Sequence, residues 1–138
     1  MKIVTLSFLA DKLEEAFDGW NQYYNVETGE MESLPDRDNS YVDFEEFEEA
    51  AEKIDASDAY IRLPNQFDIH EYRIMEAFAE EKNINELYRA LRGKGAFRRF
   101  KDCCLDLGIR DEYFSFRHLA YIDIARRWCE ENKIPFEA

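Results

Sequence analysis

The sequence reads WNQYYNVETGEMESL at residues 20–34, and this stretch interrupts a chain whose apolar residues otherwise recur at helical spacing. Aromatic and polar side chains alternate from Trp20 to Val26, the period of a β-strand. The pair Thr28-Gly29 supplies a turn, because glycine adopts positive φ without steric cost. Residues 31–34 would return as the second arm. We therefore predict a β-hairpin, which excludes an all-helical fold.

A third strand and several helices complete the predicted fold. Residues 59–63 form a short strand-like run before Pro64, and an added strand supplies stability that an isolated hairpin lacks. Helical spacing predicts helices at residues 7–18 (with Ser7 as N-cap), 43–54 (on an apolar stripe that starts at Tyr41), from 68 onward, 85–92, 96–107 and 111–132. The polar segment 35–40 reads as a loop, and Pro135 is expected to end the ordered chain. The predicted class is α+β and predominantly helical, with a small antiparallel sheet (hairpin plus one strand) packed on about six helices.

Two local patterns predict where one helix of residues 63–134 begins and which face of another is buried. Asp68 and Glu71 are spaced as a capping box, and Phe67 and Tyr72 as the accompanying hydrophobic staple. In the helix at 96–107, Phe97, Phe100 and Leu107 are expected on the buried face. Together they predict a packed helical core over residues 63–134.

The bulk properties predict one domain, 1–138, in a reducing compartment. An acidic helix–hairpin–helix half at 1–62 precedes the helical core, and no apolar run approaches the ~20 residues that cross a bilayer. The N-terminal apolar run meets Asp11 too early for a secretory signal. Three cysteines are an odd number without zinc spacing, which favours reduced thiols and a cytoplasmic location.

The net charge of −13 is confined to one half of the chain. Residues 1–60 hold 4 basic and 17 acidic side chains, whereas residues 61–138 hold 14 of each. An asymmetry of this kind indicates an interaction surface.

The acidic excess is densest in the helix predicted at 43–54. Its candidate surface consists of Asp43, Glu45, Glu46, Glu49 and Glu52. The segment lacks the glycine of a calcium loop, so we predict no metal site. A solvated helix face is the ordinary explanation. The alternative is a surface that imitates nucleic-acid phosphates and binds a basic nucleic-acid-binding protein.

Residues 89–101 have the opposite character, with six basic side chains and no acid. Gly93 and Gly95 flank Lys94 immediately before a helix start at Ala96, where free N–H groups favour anions. The candidate anion- or partner-binding residues are Arg92, Lys94, Arg98, Arg99 and Lys101. The alternative is a basic turn whose charges are neutralised by the acidic half of the same molecule.

Catalytic chemistry has little support. His70 and His118 are far apart in sequence, and the cysteines (Cys103, Cys104 and Cys129) fall on presumed buried helix faces. We predict no catalytic residue and no cofactor. An enzyme acting on a phosphorylated small molecule at residues 92–101 stays as the weakest alternative.

Several motifs resemble uncharacterised protein family 0158, a bacterial family. The resemblance is carried by LP at 63–64, FDI at 67–69, EYRIME at 71–76 and Phe78, and by RGKGAFRRFKD at 92–102. The hairpin residues Tyr23-Tyr24 and Thr28-Gly29-Glu30 and the ending Ala125 to Asn132 are also similar. Tyr113 and Lys133 depart from the family, which has tryptophan and glycine there. The resemblance implies a bacterial or phage cytosolic protein and no established reaction.

From these observations we predict a non-enzymatic binding or regulatory protein that holds an anionic partner, either nucleic acid or an acidic protein, at the basic turn. The acidic decoy is the alternative function.

Overall fold

The computed structural model of the protein describes residues 1–36 and 43–138. Its α-helices are α1 (Leu6–Glu14), α2 (Glu48–Asp55), α3 (Gln66–Ile69), α4 (Glu71–Lys82), α5 (Asn85–Ala90), α6 (Ala96–Asp106) and α7 (Arg110–Glu131), and a 3₁₀ helix spans Phe44–Phe47. Its strands are β1 (Val4–Thr5), β2 (Trp20–Asn25), β3 (Met31–Pro35), β4 (Tyr60–Arg62) and β5 (Phe136–Glu137). The predicted α+β, mostly helical class is confirmed. Most of the predicted loop at 35–40, and Tyr41, lie outside the described residues.

The antiparallel sheet has the order β3-β2-β4, which confirms the predicted hairpin with one added strand. Tyr24 is central: it pairs with Met31 on β3 and with Ile61 on β4. The hairpin turn is closed by Asn25, whose Oδ1 accepts from the N–H groups of Glu27 and Thr28 at 2.9 and 3.0 Å. Gly29 takes the positive φ that this turn requires, +80°.

A parallel pair of strands joins the two chain ends and was not predicted. Val4 pairs with Phe136, and the Val4 N–H donates to the carbonyl of Pro135 at 3.1 Å. Order therefore continues beyond Pro135, contrary to the expectation. A proline lacks an N–H but keeps its carbonyl, so it still accepts at a strand edge.

Residues 1–69 and 122–138 form one compact unit, here the first unit. Its core holds Leu9, Leu13 and Tyr24, each at most 1% exposed. The ring of Trp128 meets Tyr24 edge-on at 6.1 Å, and its Nε1 donates to the carbonyl of Arg62 at 3.0 Å. The C-terminal part of α7 therefore packs against the antiparallel sheet of this unit and stabilises it.

Residues 70–121 form the second unit, whose core is an aromatic cluster. Phe78, Phe100 and Tyr113 meet edge-on with ring centroids 5.2–6.3 Å apart. All three side chains are at most 1% exposed. Such pairs add to the free energy gained by burying the rings. The prediction of a single domain for 1–138 stays a prediction.

The helix starts differ from the sequence expectations. Thr5, not Ser7, caps α1, because its Oγ1 accepts from the Phe8 N–H at 3.3 Å. Asp111, the expected cap of the helix predicted at 111–132, lies inside the first turn of α7 and does not precede it. The predicted helix at 43–54 is divided into the 3₁₀ helix and α2, since Phe47 leaves helical geometry at ψ 5°.

The predicted capping box and staple at the start of α4 are wrong. Asn65 and Asp68 form the reciprocal pair instead: each side chain accepts from the other's backbone N–H, at 3.0 and 3.1 Å. Phe67 is 80% exposed and cannot act as a buried staple. His70, at φ 53°, then separates α3 from α4.

In α6 the predicted buried face is only partly right. Phe100 is buried, but Phe97 and Leu107 are 47% and 40% exposed. The predicted helix end is confirmed: Gly108 is at φ 72°, and the Ile109 N–H donates to the Cys104 carbonyl at 2.9 Å, the Schellman pattern.

Candidate functional site

The turn between α5 and α6 has a left-handed residue on each side of Lys94. Gly93 and Gly95 lie at φ +76° and +75°. A side chain at Gly93 would meet no atom within 4 Å, so backbone conformation and not crowding requires glycine there. The two glycines reverse the chain and direct it into α6.

Arg99 holds this turn from within the same unit. Its guanidinium donates to three backbone carbonyls: Ala90 at 3.0 Å, Lys94 at 2.8 Å, and Arg92. The planar fork of arginine suits such multiple donation. Arg99, which was predicted to bind the anionic partner, therefore stabilises the turn instead.

The turn leads directly into the first turn of α6. The first N–H groups of a helix have no partner within that helix, and the Arg99 N–H donates to the carbonyl of Gly95 at 3.1 Å. Alternation of left- and right-handed backbone turns successive N–H groups toward one concavity, a form that binds anions.

Four of the five predicted basic residues are exposed, and three of them, Arg92, Lys94 and Arg98, are not used to hold the turn as Arg99 is. Among the described residues, Arg92 and Lys94 form no ion pair. The Arg98 side chain is 92% exposed and lies 3.9 Å from Asp102, a distance and exposure at which pairing contributes little.

Lys101 is held away from the turn by a buried carboxylate. Its Nζ lies 3.5 Å from Glu71, which also accepts from Arg117 at 2.9 Å. The Glu71 side chain is only 10% exposed, and a buried carboxylate needs such cations. Beside it, burial and then the charge of Glu71 raise the pKa of Tyr113. The ion pairs of Arg98 and Lys101 are both with carboxylates of the second unit, Asp102 and Glu71.

A cavity of about 450 Å³ adjoins the basic turn. Its walls include two carboxylates of α4, two tyrosines and two arginines: Glu76, Glu80, Tyr72, Tyr88, Arg89 and Arg92. No sequence pattern predicts this cavity, because its residues come from two helices and the turn. Arg89 also lines a second cavity of about 560 Å³, together with Arg98 and Cys103.

The acidic surface lies on the first unit and is solvent-exposed throughout. Asp43 caps the 3₁₀ helix by accepting from the Glu45 N–H at 3.0 Å. Glu45, Glu46, Glu49 and Glu52 are exposed. The neighbouring Lys53 pairs instead with Glu30 and Glu32 of the hairpin, at 3.5 and 3.1 Å. Hydrogen bonding to Glu32, and then to Tyr60, raises the pKa of Lys53.

The two units differ sharply in charge. By sequence the first holds 8 basic and 22 acidic side chains, a net −14, and the second holds 10 and 9, a net +1. The basic turn is therefore in a nearly neutral unit, where an anion meets less repulsion than the total charge of −13 suggests.

The cysteines are poor nucleophiles at neutral pH. Cys104 and Cys129 are fully buried, and burial raises the pKa of each thiol to about 11. Cys103 is half-buried, and its pKa is raised by burial and by the charges of Glu86 and Asp106. A reactive cysteine has the opposite shift.

No family model, curated protein or solved structure matches the chain. The resemblance to uncharacterised protein family 0158 thus stays a prediction. In the described residues, no helix combines the length and the apolar character needed to span a bilayer.

Proposed function

We propose that the protein is a non-enzymatic binding protein that holds an anionic partner at the turn between α5 and α6. The observation that carries the proposal is the set of exposed cations, Arg92, Lys94 and Arg98, around a turn held in shape by Arg99. A backbone that is already fixed loses little further conformational entropy when a ligand arrives, whereas each arginine or lysine side chain that becomes ordered costs about 0.5–1.5 kcal/mol. Phosphates of nucleic acid and carboxylates of an acidic protein both fit this chemistry.

The test compares two double variants with equal change in charge. Arg92→Ala with Arg98→Ala removes two of the three cations at the turn, and Lys2→Ala with Arg127→Ala removes two exposed cations of the first unit. Fluorescence anisotropy with labelled single-stranded RNA and labelled polyglutamate measures binding. We expect the first variant alone to weaken binding, with affinity falling by about 0.7 log unit per log unit of salt for each phosphate contacted. Failure of both polyanions to bind the parent at low ionic strength would refute the proposal.

The acidic surface supports a second candidate function, an acidic decoy for a basic nucleic-acid-binding protein. The favouring observation is that its carboxylates are exposed while the nearby Lys53 is occupied by Glu30 and Glu32. Glu45→Lys, Glu46→Lys and Glu49→Lys together should abolish binding of polylysine. The matched control reverses Glu27, Asp58 and Glu137. Equal loss in both triple variants would show a general charge effect and remove this candidate.

The proposed location is the cytoplasm of a bacterial or phage-infected cell. The support is that all three cysteines are unpaired thiols, as a reducing compartment maintains.

A further inference from the structure

The 450 Å³ cavity beside the basic turn carries charges of both signs that are not used by the fold. Glu76 and Glu80 are exposed and one turn apart on α4, and Arg89 and Arg92 are exposed on the other wall. None of the four takes part in an ion pair within the described residues. A ligand that satisfies them needs hydrogen-bond donors at one end and an anionic group at the other.

The tyrosines add apolar surface to the same cavity. Tyr72 and Tyr88 are half-buried in the cavity wall. The Tyr72 hydroxyl donates to the carbonyl of Leu91 at 2.8 Å, so its ring is held in place. Ordered aromatic rings beside basic side chains are the elements on which nucleobases stack.

The carboxylates select among the nucleobases. An ionised carboxylate only accepts hydrogen bonds, so it favours a base edge that presents adjacent donors. Guanine presents N1–H and N2–H side by side. The N3–H of uracil instead lies between two carbonyl oxygens, and these oxygens repel those of a carboxylate. A guanine base at Glu76 and Glu80 would leave its phosphate to Arg89 and Arg92.

We propose that this cavity binds a guanine nucleotide, with the base between Tyr72 and Tyr88 and the phosphate on Arg92 at the edge of the turn. The inference rests on the proposed function, since it makes the anion held at the turn a nucleotide phosphate. Free guanine nucleotide and a guanosine within single-stranded RNA share this chemistry.

Isothermal titration calorimetry on the full chain tests the inference with GDP, UDP and inorganic pyrophosphate. We expect GDP to bind at least about tenfold more tightly than UDP or pyrophosphate, in keeping with a pair of good hydrogen bonds to a base. In the double variant Glu76→Gln with Glu80→Gln, the ratio of GDP affinity to pyrophosphate affinity should fall. It should then equal the ratio of UDP affinity to pyrophosphate affinity. Glu81→Gln, on the same helix but outside this cavity, is the control and should keep the ratio. Tyr88→Leu should weaken both nucleotides and leave pyrophosphate unchanged.

The outcomes separate this inference from the proposed function. Equal affinity for the three ligands overturns the guanine site and leaves the anion site intact. Binding of polyglutamate without any nucleotide overturns the guanine site in favour of an acidic protein partner. If none of these ligands binds at low ionic strength, both proposals fail. A uridine-rich RNA with one guanosine, if it binds more tightly than GDP and than its all-uridine counterpart, identifies the strand as the source of the nucleotide.

Discussion

At the scale of single residues, Arg99 shows that a basic side chain of this segment can stabilise the fold instead of binding a ligand. It belongs to the basic run, yet its three hydrogen bonds fix the carbonyls of the turn. Arg99→Ala should lower the free energy of unfolding by about 1 kcal/mol, because it removes hydrogen bonds to one partly buried and two exposed carbonyls. Arg98→Ala, at a side chain 92% exposed, should change it by less than about 0.5 kcal/mol. Urea melts that coincide for the two variants would contradict the assignment.

The buried thiols give a second residue-scale prediction, in alkaline solution. The folded pKa values of Cys104 and Cys129 are about 11, above the ordinary value of 9.0. A thiol that resists ionisation when folded stabilises the protein fully below its unfolded pKa, and this contribution is lost as the pH rises toward the folded pKa. The urea midpoint should therefore fall between pH 9 and about 11, and less so in Cys104→Ala with Cys129→Ala. An identical pH slope in parent and variant would show that other groups cause the loss.

At the scale of elements, the starts of two helices, α3 and α7, can be tested by comparing Asn65 with Asp111. Asn65→Ala should cost about 1 kcal/mol, since its side chain accepts from the Asp68 N–H at the helix start. Asp111→Ala, in the first turn of α7 but not at its cap, should cost less than about 0.5 kcal/mol. Thermal or urea unfolding of the two variants decides the matter. A cost of about 1 kcal/mol or more at Asp111 would show that it caps α7, and a cost below about 0.5 kcal/mol at Asn65 would contradict its role at α3.

The same elements show what could be predicted from the sequence. The hairpin could, because period-two alternation and Gly29 act locally. The cap of α3 could not be predicted, because Asn65, Asp68 and Glu71 form two overlapping pairs with the same spacing. Only packing selects the pair of Asn65 and Asp68. The pair β1–β5 is too short, at two residues each, to show a period. Composition indicated the basic turn of the candidate site. Which of its arginines is structural depends on the positions of the backbone carbonyls, and the cavity depends on how α4 and α5 pack, so neither could be predicted from the sequence.

At the scale of the whole molecule, the net charge of −13 should destabilise the protein at low ionic strength, because like charges on the first unit repel. Glu45→Lys, Glu46→Lys and Glu49→Lys together change the net charge to −7, three reversals of two charges each. Since these side chains are exposed, the variant should unfold at a higher temperature than the parent in low salt. The difference should shrink as salt shortens the screening length to below about 10 Å. Melting temperatures measured across a salt series for parent and variant provide the test. A variant that melts lower than the parent at low salt would show that these carboxylates stabilise the fold through cations, and the acidic surface would then be structural.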